Sequence, residues 1–211
     1  MDVRDAVASR FSCRAFLPTP VPLAVVRDIL DRAARAPSGG NLQPWRVDAL
    51  AGAPLDAVKT MIRARDAELP RGEGVEYAIY PADLKELYHA RRSEVARLLY
   101  AALGIPREDR PARLAQYARN FQFFDAPVGL FVSIDRSMGP PQWSDLGGFI
   151  QTILLLARAH GLHGCAQERK RAARPRPRTC ASGGRRRACT RASVRGLRCD
   201  SWSRGWVKGD E

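Results

Sequence analysis

APSGGNLQPWRV, residues 36–47, is where the chain changes its period. Upstream, between Pro22 and Ala36, the apolar residues Val26, Ile29, Leu30 and Ala33 recur at helical spacing, and that pattern stops at the turn residues Pro37 to Asn41. Downstream, Trp45, Val47 and Ala49 alternate with Arg46 and Asp48, as a strand with one covered face does. Helix, turn and strand in so few residues point to an α+β chain. The turn itself offers chemistry. Gly39 and Gly40 remove side-chain bulk, so the backbone can lie close to a flat ligand, while Ser38, Asn41 and Gln43 supply hydrogen-bonding groups beside it. A helix C-cap followed by a turn into the strand accounts for the same residues without any ligand.

Working outward, Leu55, Val58 and Ile62 mark a second helix, and residues 70–83 read as a loop. Leu84, Leu87, Tyr88, Val95, Leu98, Leu99 and Ala102 trace a long helix that ends at Gly104, beyond which Pro106 is expected to open another. Residues 126–135, APVGLFVSID, form a short apolar run with β-branched and aromatic members, the pattern of a buried central strand. From Trp143 to His160 runs the most apolar helix, whose stripe is Leu146, Phe149, Ile150, Ile153, Leu154 and Ala157. GLHGCAQ, residues 161–167, should then turn back towards the sheet. No repeat or linker interrupts residues 1–168, which read as one α+β domain.

The whole chain has a formal net charge of +13, which by itself suggests a polyanionic partner. Residues 169–211 carry +11 of it, with 14 Lys and Arg against 3 Asp and Glu, leaving the first 168 residues near neutrality. In that tail Val194, Leu197 and Val207 are the only Leu, Ile, Val or Phe residues, too few to offset the entropy of ordering it. Cys13 and Cys165 lie in the first part and Cys180, Cys189 and Cys199 in the tail, a distribution unlike a secreted disulfide framework. MDVRDAVASR at the N-terminus has two aspartates and no apolar run, and the most apolar stretch, Ile150 to Ala157, is too short for a bilayer. These features lead us to expect a soluble cytoplasmic protein without a membrane partner.

There is no GxGxxG, Walker loop or GxSxG motif, and no Cys or His pair at metal spacing. His160 and His163 share one helix end and read as capping or surface groups. RFSCRAF, residues 10–16, is more informative: in an extended chain Arg10, Ser12 and Arg14 point the same way. Two guanidinium forks and a hydroxyl on one face can hold a phosphate or another delocalised anion, and a solvated basic strand edge is the alternative.

Taken together, RFSCRAF, a helix, and then APSGGNLQPWRV resemble the N-terminal signature of the FMN-dependent nitroreductase family in residue type and spacing. The resemblance continues through FFDAPVGLFVSID, MGPPQWSDLGGFIQTILLLARAHGL and CAQE, so it spans nearly all of residues 1–168. It implies a central sheet flanked by helices in a homodimer that binds FMN and uses NADH or NADPH to reduce a nitroaromatic, quinone or similar small-molecule acceptor. By the same resemblance Arg10 and Ser12 would contact the FMN phosphate, and Arg14 the ribityl chain and the N1/O2 edge of the flavin. Ser38, Gly39 and Asn41 would line the ring face and ribityl at the dimer interface, with Gln43 a further cofactor-binding residue. Ala166, Gln167 and Glu168 would be the counterpart of a Pro-x-Glu segment that covers the ring, with alanine here where the family usually has proline. Arg91 or Arg92 would reach the pyrimidine edge, and Phe123 and Phe124 would shape an aromatic pocket or the core. No protein acid, base or nucleophile is required, because the cofactor carries the chemistry.

The family continues past this point with a helix, a strand and an arm that wraps the partner subunit. Residues 169–211 show neither helical period nor alternation, and a composition dominated by Arg, Ala, Gly, Ser and Cys is what out-of-frame GC-rich codons give. The expectation is a frameshift near codon 169 that replaces those elements, and hence an incomplete enzyme. A nucleic-acid-binding arm, with Trp202 and Trp206 stacking on bases, is the rival reading of the tail.

Overall fold

The computed structural model describes residues 1–66 and 78–167. Glu168, the basic tail 169–211 and most of the expected loop 70–83 lie outside the described residues. The described residues fall into two compact units, the first made of 1–56 and 126–166 and the second of 57–125 with Gln167.

The first unit opens with helix α1 (Val3–Ser9), which the apolar pattern did not reveal because Ala6 is its one buried residue. A cap starts it: the Asp5 N–H donates to the Asp2 carboxylate at 2.9 Å. Helix α2 (Leu23–Ala33) follows, burying Val26, Ile29 and Ala33 as their spacing predicts. A short 3₁₀ turn, Gly39–Asn41, leads into strand β1 (Arg46–Ala51). Helix α3 (Ala53–Asp66) then runs from the first unit into the second.

The second unit holds helices α4 (Glu86–Ala102) and α5 (Arg110–Ala118) and the irregular 3₁₀ segment Arg119–Asp125. α5 starts at Arg110, not at Pro106. The cap decides this, since the Asp109 carboxylate accepts the Ala112 N–H at 2.9 Å and Pro111 sits in the first turn where its missing N–H costs nothing. The apolar residues of α4 are largely exposed, Leu87 at 57% and Val95 at 60%, so its period reflects a helix without a buried face among the described residues. Phe123, Phe124 and Asp125 all have positive φ, a left-handed turn that L-residues rarely sustain.

The chain returns to the first unit with strand β2 (Val128–Ser133) and helix α6 (Pro140–Ala159). β1 and β2 pair antiparallel, from Arg46 opposite Ser133 to Ala51 opposite Val128. Residues 126–135 were expected to be a buried central strand. Among the described residues β2 has one strand partner, and Gly129 is its only buried position. The core is helix on sheet: Ile29, Ala33 and Ala36 meet Phe149, Ile153 and Ala157 of α6, with Trp45, Val47, Leu130 and Val132 packed around them. Trp45 stacks flat on Phe149, ring centroids 4.6 Å apart and 2° from parallel. α6 begins at Pro140 because the Gly139 N–H donates back to the Gln142 side chain at 3.1 Å. The expected α+β class, helices with a small sheet, is what the structure has. No helix among the described residues is long and apolar enough to cross a membrane.

Candidate functional site

α1 ends at Ser9, and Arg10 turns the chain into extended backbone with φ −75° and ψ 125°. Two residues later Ser12 forms a parallel bridge with Gly164, and the Cys13 N–H donates to the Gly164 carbonyl at 3.3 Å. RFSCR and GCAQ, which are far apart in sequence, are therefore neighbours. The expected return of residues 161–167 ends on this N-terminal segment, and not on the β1–β2 pair.

The register of that bridge is set from α6. A Cβ at Gly164 would lie 2.7 Å from the Leu154 Cδ2, so only glycine fits with Leu154 in place. One turn further, the Arg158 guanidinium donates to the Ser9 hydroxyl at 3.2 Å and to the Leu162 carbonyl at 2.9 Å. On the paired segments themselves Phe11 and His163 face each other, ring centroids 4.5 Å apart. Burial, with the Arg158 charge second, pulls His163 below the ordinary histidine range. Its Nδ1 is buried without a hydrogen-bond partner among the described residues.

Strand alternation puts Arg10, Ser12 and Arg14 on one side of this segment. Arg10 and Arg14 are half-buried, and neither meets a carboxylate or other hydrogen-bond partner among the described residues. Elsewhere in the first unit Arg32 and His160 both reach Asp28, at 2.9 and 3.1 Å, and the Arg32 hydrogen bond holds that carboxyl below its usual range. The contrast marks Arg10 and Arg14 as a cationic pair for which the described residues supply no anion.

The second cluster is the turn after α2. Asn41 donates its N–H to the Ser38 carbonyl at 2.9 Å and Leu42 to that of Gly39 at 3.2 Å. The Ser38 hydroxyl accepts the Gln43 N–H at 2.9 Å, so its oxygen is engaged in closing the turn. Gly40, Asn41 and Gln43 all have positive φ, which suits glycine and is tolerated by asparagine, while Gln43 is held there against its preference. Gly39, Gly40, Asn41 and Gln43 are exposed. The Gly39 N–H donates to the Asp145 carboxylate at 3.2 Å, which fastens the turn to α6.

Among the residues assigned from sequence, the structure brings Arg10, Ser12 and Arg14 together with the segment carrying Ala166, which is exposed. Ser38, Gly39, Asn41 and Gln43 form one turn elsewhere on α6. Gln167, also exposed, is the last described residue, and Glu168 lies outside the described residues. In the second unit the Arg92 guanidinium lies over the Tyr80 ring, 4.3 Å from its centroid. Asp145 and Arg158 are contributors that local sequence pattern does not single out. A signal was available for the first, since Asp145 is the one acidic residue of an otherwise apolar helix. His163, read there as a cap or surface group, proves to be packed against Phe11.

A 4-nitrobenzoate reductase of Pseudomonas putida is 37% identical over 166 residues, covering 79% of this chain and 72% of that protein. A nitrobenzene nitroreductase of Ectopseudomonas oleovorans is 38% identical over 165 residues, 78% of this chain and 73% of that one. Among solved structures, an FMN and NADPH-dependent nitroreductase from Sphigopyxis sp. strain HMH superposes with a TM-score of 0.75 at 44% identity, covering 78% of this chain and 74% of that one. The FMN-dependent nitroreductase of Mycobacterium smegmatis, solved with NADPH, gives 0.72 at 28% identity over 77% and 72%. The nitroreductase family model matches residues 7–174, from the Arg10 segment to beyond Gly164, and the chain belongs to the nitroreductase family.

Proposed function

We propose that the chain is an FMN-dependent oxidoreductase that moves hydride from NADH or NADPH to a nitroaromatic, quinone or similar small-molecule acceptor. The observation that carries this reading is the half-buried pair Arg10 and Arg14 beside the Ser12 hydroxyl, without a carboxylate partner among the described residues. Partly desolvated cations of this kind are stabilised by an anion that accepts their forked hydrogen bonds, and the donor set fits a phosphate monoester such as that of FMN. The names of the solved relatives, FMN and NADPH-dependent nitroreductases, support it.

FMN, when bound, supplies the redox chemistry by taking hydride from the nicotinamide and returning it to the acceptor. The chain's residues do the holding and biasing. Arg10 and Ser12 would bind the phosphate. Arg14 would supply a positive charge that favours the reduced, more negative flavin. Gly39 and Gly40 let backbone approach the ring, and the exposed Asn41 and Gln43 amides present donors and acceptors to ring and ribityl. Ala166 and the residues that follow it in sequence would supply the ring-covering segment.

The placement of the two clusters on α6 supports a homodimeric site. Asp145, which holds Gly39, and Leu154, which abuts Gly164, are nine residues apart, about 180° round the helix and about 14 Å along it. One chain therefore presents the two clusters in different directions, and a pocket using both takes one from each member of a homodimer.

The visible spectrum of the purified chain with FMN tests the reading. A flavin band that NADPH bleaches is expected, with Arg10→Gln and Arg14→Gln each weakening FMN binding by about tenfold or more, as loss of a charged hydrogen bond of ~1.5–3 kcal/mol requires. A colourless protein that FMN does not stabilise refutes it. A second reading concerns the tail alone. The family match ends at residue 174, just after the apolar pattern stops, and we read 1–168 as the FMN-binding domain and 169–211 as a frameshifted replacement for its last elements. Translation of the gene in its other two frames should restore a helix and a strand. A shift of labelled DNA that salt abolishes and that disappears on removal of 169–211 would favour the nucleic-acid arm instead.

A further inference from the structure

We propose that Cys13 and Cys165 are an oxidisable pair that closes to a disulfide across the Ser12–Gly164 bridge. The two residues lie one step beyond that parallel pair, and the Cys13 N–H is itself bonded to the Gly164 carbonyl at 3.3 Å. Side chains of parallel neighbours alternate in phase, so both thiols leave on the side opposite the Ser12 hydroxyl. Adjacent strands run about 4.8 Å apart, within the Cα separation of about 4.4–6.8 Å that a disulfide takes. Both cysteines are half-buried, open to a small oxidant and sheltered from bulky ones. The Cys13 thiol now donates to the Ala15 carbonyl at 3.0 Å, and one χ1 rotation turns it towards its neighbour.

Three contacts hold the register in which the pair would close. Leu154 packs directly over Gly164, Phe11 packs on His163, and Arg158 ties Ser9 and the Leu162 carbonyl to α6. Both segments are therefore held immediately before the two thiols, which keeps the cysteines side by side.

The oxidant is a hydroperoxide. One thiolate attacks the peroxide oxygen, the O–O bond breaks, an alcohol (water from hydrogen peroxide) leaves, and a sulfenic acid forms. The second thiolate then attacks the sulfenic sulfur, the S–S bond forms, the S–O bond breaks and water departs. Two thiols have lost two electrons and the peroxide has gained them. The consequence for cofactor binding rests on the proposed function. If Arg10 to Arg14 and Ala166 flank one flavin, the crosslink fixes both walls and slows FMN release.

The test uses the full chain with Cys180, Cys189 and Cys199 changed to Ser, exposed to hydrogen peroxide, alkylated and cut with trypsin. The expected product is the peptide FSCR, residues 11–14, linked to AHGLHGCAQER, residues 159–169, two hydrogens lighter than the pair and separated by reductant. In Cys13→Ser the Cys165 peptide should appear as a dimedone-trapped sulfenic acid. Recovery of both peptides alkylated, or as sulfinic acids with no linked species, overturns the proposal. This readout needs no flavin, so it stands if FMN binding fails, while an unchanged FMN release rate in the linked protein removes only the functional consequence.

Discussion

Replacing Gly164 by alanine tests whether α6 sets the register of the candidate site. The added Cβ would meet the Leu154 Cδ2 at 2.7 Å, where ordinary contact begins at 3.4 Å, so the two must part by about 0.7 Å. Overpacking of this kind costs about 1–3 kcal/mol. Gly164 does not have positive φ, so alanine also narrows the unfolded ensemble and returns about 0.4–1 kcal/mol. The net loss should be about 0.5–2 kcal/mol, and the sign of a second measurement is sharper. In a Leu154→Ala background the clash is gone and only the unfolded-state effect remains, so Gly164→Ala should stabilise by about 0.4–1 kcal/mol. A double-mutant cycle by urea denaturation should therefore show a coupling of about 1–3 kcal/mol with a reversal of sign. If Gly164→Ala has the same effect whether residue 154 is leucine or alanine, the contact does not hold the bridge and the argument fails.

Phe149, 1% exposed and stacked on Trp45, is the centre of the helix-on-sheet core, and Phe149→Ala should lose about 3–5 kcal/mol in the same denaturation assay. Because His163 is held below the usual histidine range, the unfolded chain takes up a proton near pH 6.5 that the folded chain refuses. Its contribution is whole above that pH and is lost as the pH falls through the window below it. The drop in Tm from pH 7.5 to 5.5 should therefore be smaller in His163→Phe, which keeps the ring contact with Phe11. Asp145→Ala leaves the Gly39 N–H without its acceptor and should cost about 0.5–1.5 kcal/mol. On the proposed function it also weakens FMN binding without touching the Arg10 cluster, and titration calorimetry separates the two effects.

Much of this was legible in the chain. Helical spacing located α2 and α6, and the alternation from Trp45 to Ala49 located β1, because burial of one face writes a period into the sequence. Where burial is slight the pattern fails. α1 has a single buried residue and was not visible, and α4 shows apolar residues at helical spacing that are exposed. Caps outrank proline at the start of α5, since the Asp109 side chain satisfies an orphan N–H and Pro106 does not. For the site, residue types announced an anion-binding strand and a glycine turn, but the carboxylate beneath Gly39 and the glycine-only space at 164 come from α6, and no local pattern records a partner that distant.

Residue type and local spacing suffice to recognise an α+β chain of the nitroreductase family, with an arginine strand and a glycine turn. Folding alone puts GCAQ beside RFSCR, leaves Arg10 and Arg14 without an internal counter-ion among the described residues, and seats the turn on the opposite face of α6. The reason is physical. Periodicity encodes which face of an element is buried, whereas which elements meet depends on packing between residues remote along the chain, here gathered by one central helix.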